Sequence, residues 1–427
     1  MRAVEGWEYK NIDDLAVLDQ DSLGAETKKD FSFYYIDISA VSEGKLSLPS
    51  IKTIFREAPS RARKIVRRGD VLMSTVRPNL KAFAYFDHTN DDCVASTGFA
   101  VLTARDQVDP RFILYSILSD AVTAQIEALV VGSNYPAINS NDVRRLKVLA
   151  PPYTEQTNIA EVLSTVDRAI EQTEALIAKQ QRIKTGLMQD LLTRGIDEHG
   201  NLRSEQTHKF KDAPLGRIPA EWEVGQLDSL ATRGSGHTPN KRKATYWNGG
   251  IKWISLADSS KLDQVLITET DKEISALGLR YSSAVLHPKG TVILSRDAGV
   301  GKSAILGADM AVSQHFMAWR CKPARLDNYY LYYWLQRDKP TFEGIASGST
   351  IVTIGLQFFK EYVIAAPKAV AEQKQISNIL SNAERALQRS YADLEKLTRL
   401  KTALMQDLLT GKKRVTLLLN ETSESQN

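Results

Sequence analysis

The apolar positions Ile159, Val162, Leu163, Val166, Ala169, Ile170, Leu176, Ile177, Ile183, Leu187 and Leu191 recur mostly at spacings of three and four, with polar side chains between them. Such a stripe predicts one long amphipathic helix. The pattern returns at Ile376, Ile379, Leu380, Ala383, Ala386, Leu387, Leu394, Leu397, Leu400, Leu404 and Leu408. Residues 155–193 align without insertion on 372–410, 217 positions later; 19 of the 39 aligned residues are identical, and both copies end Leu-Met-Gln-Asp-Leu-Leu-Thr. The chain is therefore a tandem duplication. A helix of 39 residues is about 58 Å long, too long to lie buried across one small domain, so each copy needs a partner helix. The economical solution is for the two to pair with each other, antiparallel, through Ile159, Leu163, Val166, Ile170, Ile177 and Leu187 on one side and Ile376, Leu380, Leu387, Leu394 and Leu404 on the other. Ala169 and Ala386 permit close approach, while Thr173, Gln180 and Ser390 interrupt the seam and specify its register. Pro151-Pro152 and Pro367 block extension backwards, and Gly195 and Gly411 stand where helices end.

Fainter echoes frame what lies between the helices. Gly6-Trp7-Glu8 answers Glu221-Trp222-Glu223, Gly69 to Ser74 answers Gly290 to Ser295, and Ser96-Thr97-Gly98-Phe99 answers Ser313-Gln314-His315-Phe316. Gly132-Ser133 and Ile138 likewise match Gly348-Ser349 and Ile354. Between these anchors the halves share little. The expected architecture is α+β: two divergent globular domains related by internal duplication, separated by two long helices that pair as an antiparallel coiled coil with pseudo-two-fold symmetry. The expected boundaries are 1–150 for the first domain, 151–200 for the first helical region, 201–365 for the second domain, 366–412 for the second helical region, and 413–427 for a polar tail.

Composition changes this picture little. With 427 residues there is room for two cores. Only Cys93 and Cys321 are present, without a CxxC pair, and no apolar run or signal-peptide core is evident, so a cytoplasmic protein without a disulfide framework is expected. The net charge of +4 is mild, but its placement is informative. Arg56, Arg61, Arg63, Lys64, Arg67 and Arg68 crowd one stretch of the first half; Arg233, Lys241, Arg242 and Lys243 surround turn residues in the second. Basic clusters in loop-forming sequence, one per repeat, point to a nucleic-acid backbone.

Further candidates to touch DNA lie in turns: Arg77, Asn79 and Lys81, then Ser133, Asn134 and Tyr135 in the first half; Thr238, Tyr246, Arg296, Lys302, Ser349 and Thr350 in the second. Arg and Lys there would serve phosphates or base edges, with hydroxyl and amide donors beside them. Trp247 and Trp253 are expected in the core. Two domains held at a set separation would suit two half-sites, whose recognition faces recur roughly every 34–36 Å along a duplex.

With these residues in view, the whole chain resembles the specificity subunits of type I restriction-modification systems. The resemblance rests on two recognition domains, each with a "GDVLxS"-type strand and a Gly-Ser turn, followed by a proline hinge, Glu-Gln, and a long helix closing on LMQDLLT. It implies that each domain reads one part of a split, asymmetric DNA site, and that the helices set the spacer and dock two methyltransferase subunits, to which restriction subunits add. The chain itself is expected to be non-catalytic, with no cofactor or metal of its own and the enzymatic activities in its partners.

Motifs that would argue for catalysis fail on inspection. Gly299-Val300-Gly301-Lys302-Ser303 mimics the end of a phosphate-binding loop, but Arg296 stands where its first glycine belongs. Ala150-Pro151-Pro152-Tyr153 lacks the polar residue that an amino-methyltransferase places first. Glu43-Gly44-Lys45 is a short match that arises often by chance, and the six histidines have no metal-ligand spacing. Two other readings predict different behaviour. A nuclease or methyltransferase would bind S-adenosylmethionine or cut by itself, and a coiled-coil adaptor would bind protein alone.

Overall fold

A computed structural model describes residues 4–89, 92–130, 136–346 and 353–415. The chain forms two compact units, Met1–Ala175 with Ala392–Asn427, and Leu176–Tyr391. The two long helices span Tyr153–Leu191 and Val370–Leu408, each 39 residues. They begin two residues before the repeat, where the Pro152 and Ala369 carbonyls accept the first helical bonds, and end two residues before it does. Each unit holds part of both helices.

In the first unit, strand Glu8–Asn11 pairs antiparallel with Lys147–Ala150, which leads into the first long helix. One four-stranded sheet runs in the order Ala16–Leu18, Phe99–Ala104, Val71–Ser74, Phe83–Tyr85; the other runs Thr53–Ile54, Ser32–Ile36, Cys93–Ser96, Ala62–Val66. Helix Pro110–Leu118, capped by Asp109, packs its apolar face into a core with Trp7, Val71, Met73 and Phe83. The second unit repeats the plan. Trp222–Gln226 pairs with Val363–Pro367, and the sheet built on Ala231–Ser235, Phe316–Cys321, Val292–Ser295, Ser303–Leu306 and Leu266–Ile267 has five strands. Its capped helix is Asn328–Arg337, with Asp327 at the N-cap.

The duplicated Glu-Gln pair explains how each globular part grips its helix. In the first unit the buried Glu155 accepts from Trp7 Nε1 at 3.1 Å and from Arg414 at 2.8 and 2.7 Å. In the second, Glu372 accepts from Trp222 Nε1 at 3.2 Å and is paired by Arg203. Gln156 accepts from the Asp109 amide and donates to the Pro151 carbonyl; Gln373 does the same with Asp327 and Pro367. Each Glu thus joins the domain's first tryptophan to an arginine that follows the C-terminus of the other long helix. Gly195 makes room for this at φ +63°, because a Cβ there would lie 2.4 Å from Glu372 and 2.6 Å from Trp222.

The predicted pairing residues divide into two groups. Ile159 and Leu163, with Leu404 beside them, belong to the first globular core; Ile376 and Leu380, with Leu187, belong to the second. Of the others, Val166, Ile177 and Leu387 are buried and Ile170 and Leu394 half-buried. In each unit the start of one helix lies beside the end of the other, so the segments run antiparallel. Asp167 meets Lys401 at 2.7 Å in the first unit, and its duplicate Glu384 meets Lys184 in the second. Thr173 and Ser390, also duplicates, fold their hydroxyls back on their own helix. Leu176, Ile183 and Leu400, read from the stripe as inward, are instead exposed.

Candidate nucleic-acid interface

The basic run of the first unit is built on strand Ala62–Val66. It is less bare than its sequence implies, since most of its cations have acidic neighbours. Lys64 pairs with Asp19 at 2.8 Å and also donates to the Phe99 carbonyl. Arg67 is bound to Asp21, Arg68 to Asp87 at 2.8 Å, and Arg56 to Glu57 at 3.3 Å. Hydrogen bonds to Asp21 and Asp87 hold the Arg67 and Arg68 guanidinium groups still further above their ordinary pKa. Arg63 lies over the Phe55 ring, 5.0 Å from its centroid, and Arg61 is exposed. Exposed pairs of this kind are weak, so a phosphate competes with the carboxylate on nearly equal terms. Lys64, half-buried and doubly bonded, is a scaffold residue.

Arg77 and Lys81 flank the turn Pro78–Leu80 with left-handed φ of 48° and 50°. Asn79 is exposed, while the Lys81 ammonium donates to the Leu118 carbonyl at 3.1 Å. Ser133, Asn134 and Tyr135, with Ser349 and Thr350, lie outside the described residues.

In the second unit the loop 236–248 carries the exposed Lys241, Arg242 and Lys243. Among the described residues none of these three has a carboxylate within 4 Å, in contrast to the first unit's cluster. Tyr246 is buried, stacked 6.4 Å from Tyr281 with the Lys243 ammonium 5.1 Å from its ring centroid, so its ring supports the loop instead of facing a ligand. Arg296 is turned inward, donating to the Ile354 carbonyl at 3.1 Å, and Lys302 donates to the Ser259 carbonyl at 3.1 Å. Both flexible-looking cations are therefore occupied.

The same loop closes over a pocket of about 620 Å³ that sequence reading missed. Gly236 brings the loop down onto the neighbouring strand so tightly that a Cβ would lie 1.7 Å from the Val312 carbonyl oxygen. Trp247 and Trp253 form walls at right angles, 5.2 Å between centroids, and their indole N–H groups are spent on the Asn240 and His237 carbonyls. Trp253 is buried as expected, whereas Trp247 is only half-buried. The polar side is a chain of bonds: Thr238 donates to Gln314 at 2.6 Å, Gln314 contacts His315 at 3.3 Å, and His315 Nδ1 meets Asp297 at 2.7 Å. Thr353 anchors Asp297 from the far side. Ser313 also lines the pocket, fully buried, and its hydroxyl has no hydrogen-bond partner. Exposed Lys241 and Lys272 also line it. The one available signal was the run Ser313-Gln314-His315, which duplication marked as an anchor without revealing its surroundings.

The first unit has the same backbone junction and, among the described residues, none of this chemistry. Phe99 registers with Ser74 as Phe316 does with Ser295, and both serines donate to a carbonyl two residues on. The bridge Val76–Ala137 corresponds to Asp297–Thr353. By this register Arg296 corresponds to Thr75, and Arg77 to Ala298, which shares its left-handed φ. Gln314, His315, Asp297 and Thr353 are thus replaced by Thr97, Gly98, Val76 and Ala137. Among the described residues no group of three or more His, Cys, Asp or Glu side chains is placed to hold a metal.

Two units with one scaffold, unlike loops and basic or hydrogen-bonding surfaces define a duplicated recognition protein. The chain matches the type I restriction modification DNA specificity domain twice, over residues 4–180 and 219–399, and belongs to that family. It is 23% identical over 423 residues to a putative type I restriction enzyme MjaX specificity subunit of Methanocaldococcus jannaschii, covering 96% of this chain and 94% of that one. It is 23% identical to the type I restriction enzyme HindI specificity subunit of Haemophilus influenzae, covering 90% and 95%. Its fold is like that of a chain in a structure titled for complex assembly and conformational transition of the type I R-M system, with TM-score 0.58 and 24% identity over 96% of this chain and 99% of that one. It is also like that of the S subunit of a type I system from M. genitalium, with TM-score 0.59 and 15% identity over 94% and 96%.

Proposed function

We propose that this chain is the DNA-reading, non-catalytic subunit of a type I restriction-modification complex. Each unit reads one part of a bipartite, asymmetric duplex site. The paired helices set the spacer and dock two modification subunits, through which restriction subunits join. The globular readers correspond to 1–150 and 201–365, and the helical regions to 151–200 and 366–412. The chain works in the cytoplasm, where its DNA lies; among the described residues no single helix is long and apolar enough to cross a membrane.

The observation that carries this reading is the contrast between repeated and unrepeated contacts. The Trp–Glu pair, the Gln cap and the inter-helix ion pair occur in both units at duplicate positions, each Glu joined by an arginine that follows the other helix. The loop cations and the pocket do not. A protein that needs the same frame twice but two different readings would keep the first set and vary the second. For docking, the duplicates Ile183 and Leu400 present one exposed apolar side chain each, which fits one modification subunit per helix. Exchanging residues 227–362 for the matching stretch of a relative, and mapping methylated adenines, should change one half of the site alone. A change in both halves, or in neither, would defeat the assignment.

A further inference from the structure

We propose that the pocket of the second unit receives a nucleobase swung out of the bound duplex, a base other than the one that is methylated. This rests on the reading that the second unit binds DNA. Reading an edge within the major groove requires a protein surface that projects into it, as a helix or ribbon does. A concavity works the other way, and only a group that leaves the base stack can enter it. The walls match a planar heterocycle. Two indoles offer a face and an edge for stacking, and Thr238, Gln314 and His315 form one hydrogen-bonding side. A phosphate would find aromatic surface where it needs donors, while Lys241 and Lys272, with Arg242 and Lys243 close by in sequence, suit the flanking backbone.

Ser313 supplies the independent sign. The residue lines the pocket, and its hydroxyl, buried just behind that wall, is unpaired. The matching Ser96 of the first unit is also buried but accepts from the Gly98 amide at 3.2 Å. A buried hydroxyl without a partner destabilises a fold, so its retention in a pocket wall assigns it to a ligand. Among the described residues the matching positions of the first unit, Thr97, Gly98, Val76 and Ala137, lack this chemistry, so the proposal predicts base capture in only one half-site.

The test uses the assembled modification complex. Duplexes carry 2-aminopurine, or pyrrolo-cytosine at cytosines, at one position at a time through the second unit's half-site, omitting the methylated adenine. Binding should brighten the probe at one position. Ser313→Ala should abolish most of that rise and weaken binding to the cognate duplex roughly tenfold, while leaving the melting temperature equal or higher. Trp247→Ala should abolish the rise as well, and methylation of the first half-site should keep its sequence. A complex that binds its site selectively with no bright position, or whose bright position survives both variants, overturns the proposal. So does a rise produced by free nucleoside in competition without loss of cognate binding. A complex that does not distinguish cognate from random duplex instead overturns the underlying reading.

Discussion

The turn Ser96–Phe99 and the turn Ser313–Phe316 occupy the same place in the two units and do different work. In the first, the serine hydroxyl is satisfied by its own turn and the next residues are Thr97 and Gly98. In the second, the hydroxyl is left open and Gln314 and His315 extend into a polar chain anchored by Asp297 and Thr353. Backbone pairing is identical in register at both. The comparison teaches that duplication preserved what positions a side chain and released what the side chain says.

The largest expected effect probes the frame. The Arg203 side chain is 6% exposed and Arg414 is 30% exposed. Removing the carboxylate from the second clamp leaves the buried Arg203 with only the exposed Glu221, 3.0 Å away, as partner, so Glu372→Ala should lower stability by about 3 kcal/mol. Glu155→Ala should cost about 1–3 kcal/mol, because Arg414 can turn to water while Trp7 loses its acceptor. Denaturant titration of the two variants checks this; equal losses would mean that burial of the arginine is not what separates the clamps.

A smaller effect comes from the glycines that end the long helices, both at positive φ. A side chain there costs about 1–2 kcal/mol in backbone strain. Gly195→Ala should exceed this, since its Cβ would strike Glu372, Trp222 and Arg203 at 2.4–2.7 Å, whereas at Gly411 its nearest neighbour would be the Val4 side chain at 2.8 Å. Thermal melts that rank Gly411→Ala as the worse variant would contradict the packing described.

DNA binding should divide the basic clusters in the opposite sense to their size. Replacing Lys241, Arg242 and Lys243 by glutamine should flatten the salt dependence more than replacing Arg61, Arg63 and Arg67. Every phosphate that is no longer neutralised lowers the slope by about 0.9, and Arg67 must first leave Asp21. Equal slopes would show that the ion pairs do not compete with phosphate.

The smallest effect is acid sensitivity of the second unit. Burial lowers the pKa of His287, which packs against Gly234. Its native form is neutral, so the stability it supports is present above the unfolded value of about 6.5 and is lost as pH falls below it. Native-state hydrogen exchange between pH 7 and pH 5 should loosen strands around His287 before those of the first unit, and His287→Gln should remove the difference.

Much of the frame was legible in the sequence. Thirty-nine aligned positions without a gap defined both helices, because a long amphipathic stripe is a local pattern. The Glu-Gln identity was visible too, but its meaning was not: Trp7 lies 148 residues from Glu155, and Arg414 lies 259. The basic run misled for the same reason, since Asp19, Asp21 and Asp87 approach it only through sheet pairing. Arg296 and Lys302 looked free because glycines surround them, yet their partners, the Ile354 and Ser259 carbonyls, belong to distant segments. Of the pocket, only the run Ser313-Gln314-His315 was marked, by its match to Ser96-Thr97-Gly98; the loop that closes over it is set by Gly236 against Val312, far apart in sequence.

The central claim is that the paired helices hold two unlike readers at a set spacing. Its most direct test adds one heptad to each helix, after Ala175 and after its duplicate Ala392, keeping the apolar face in phase. Methylome mapping of cells carrying that chain should return both half-sites unchanged with a longer spacer between them. The same spacer, or altered half-site sequences, would contradict the account.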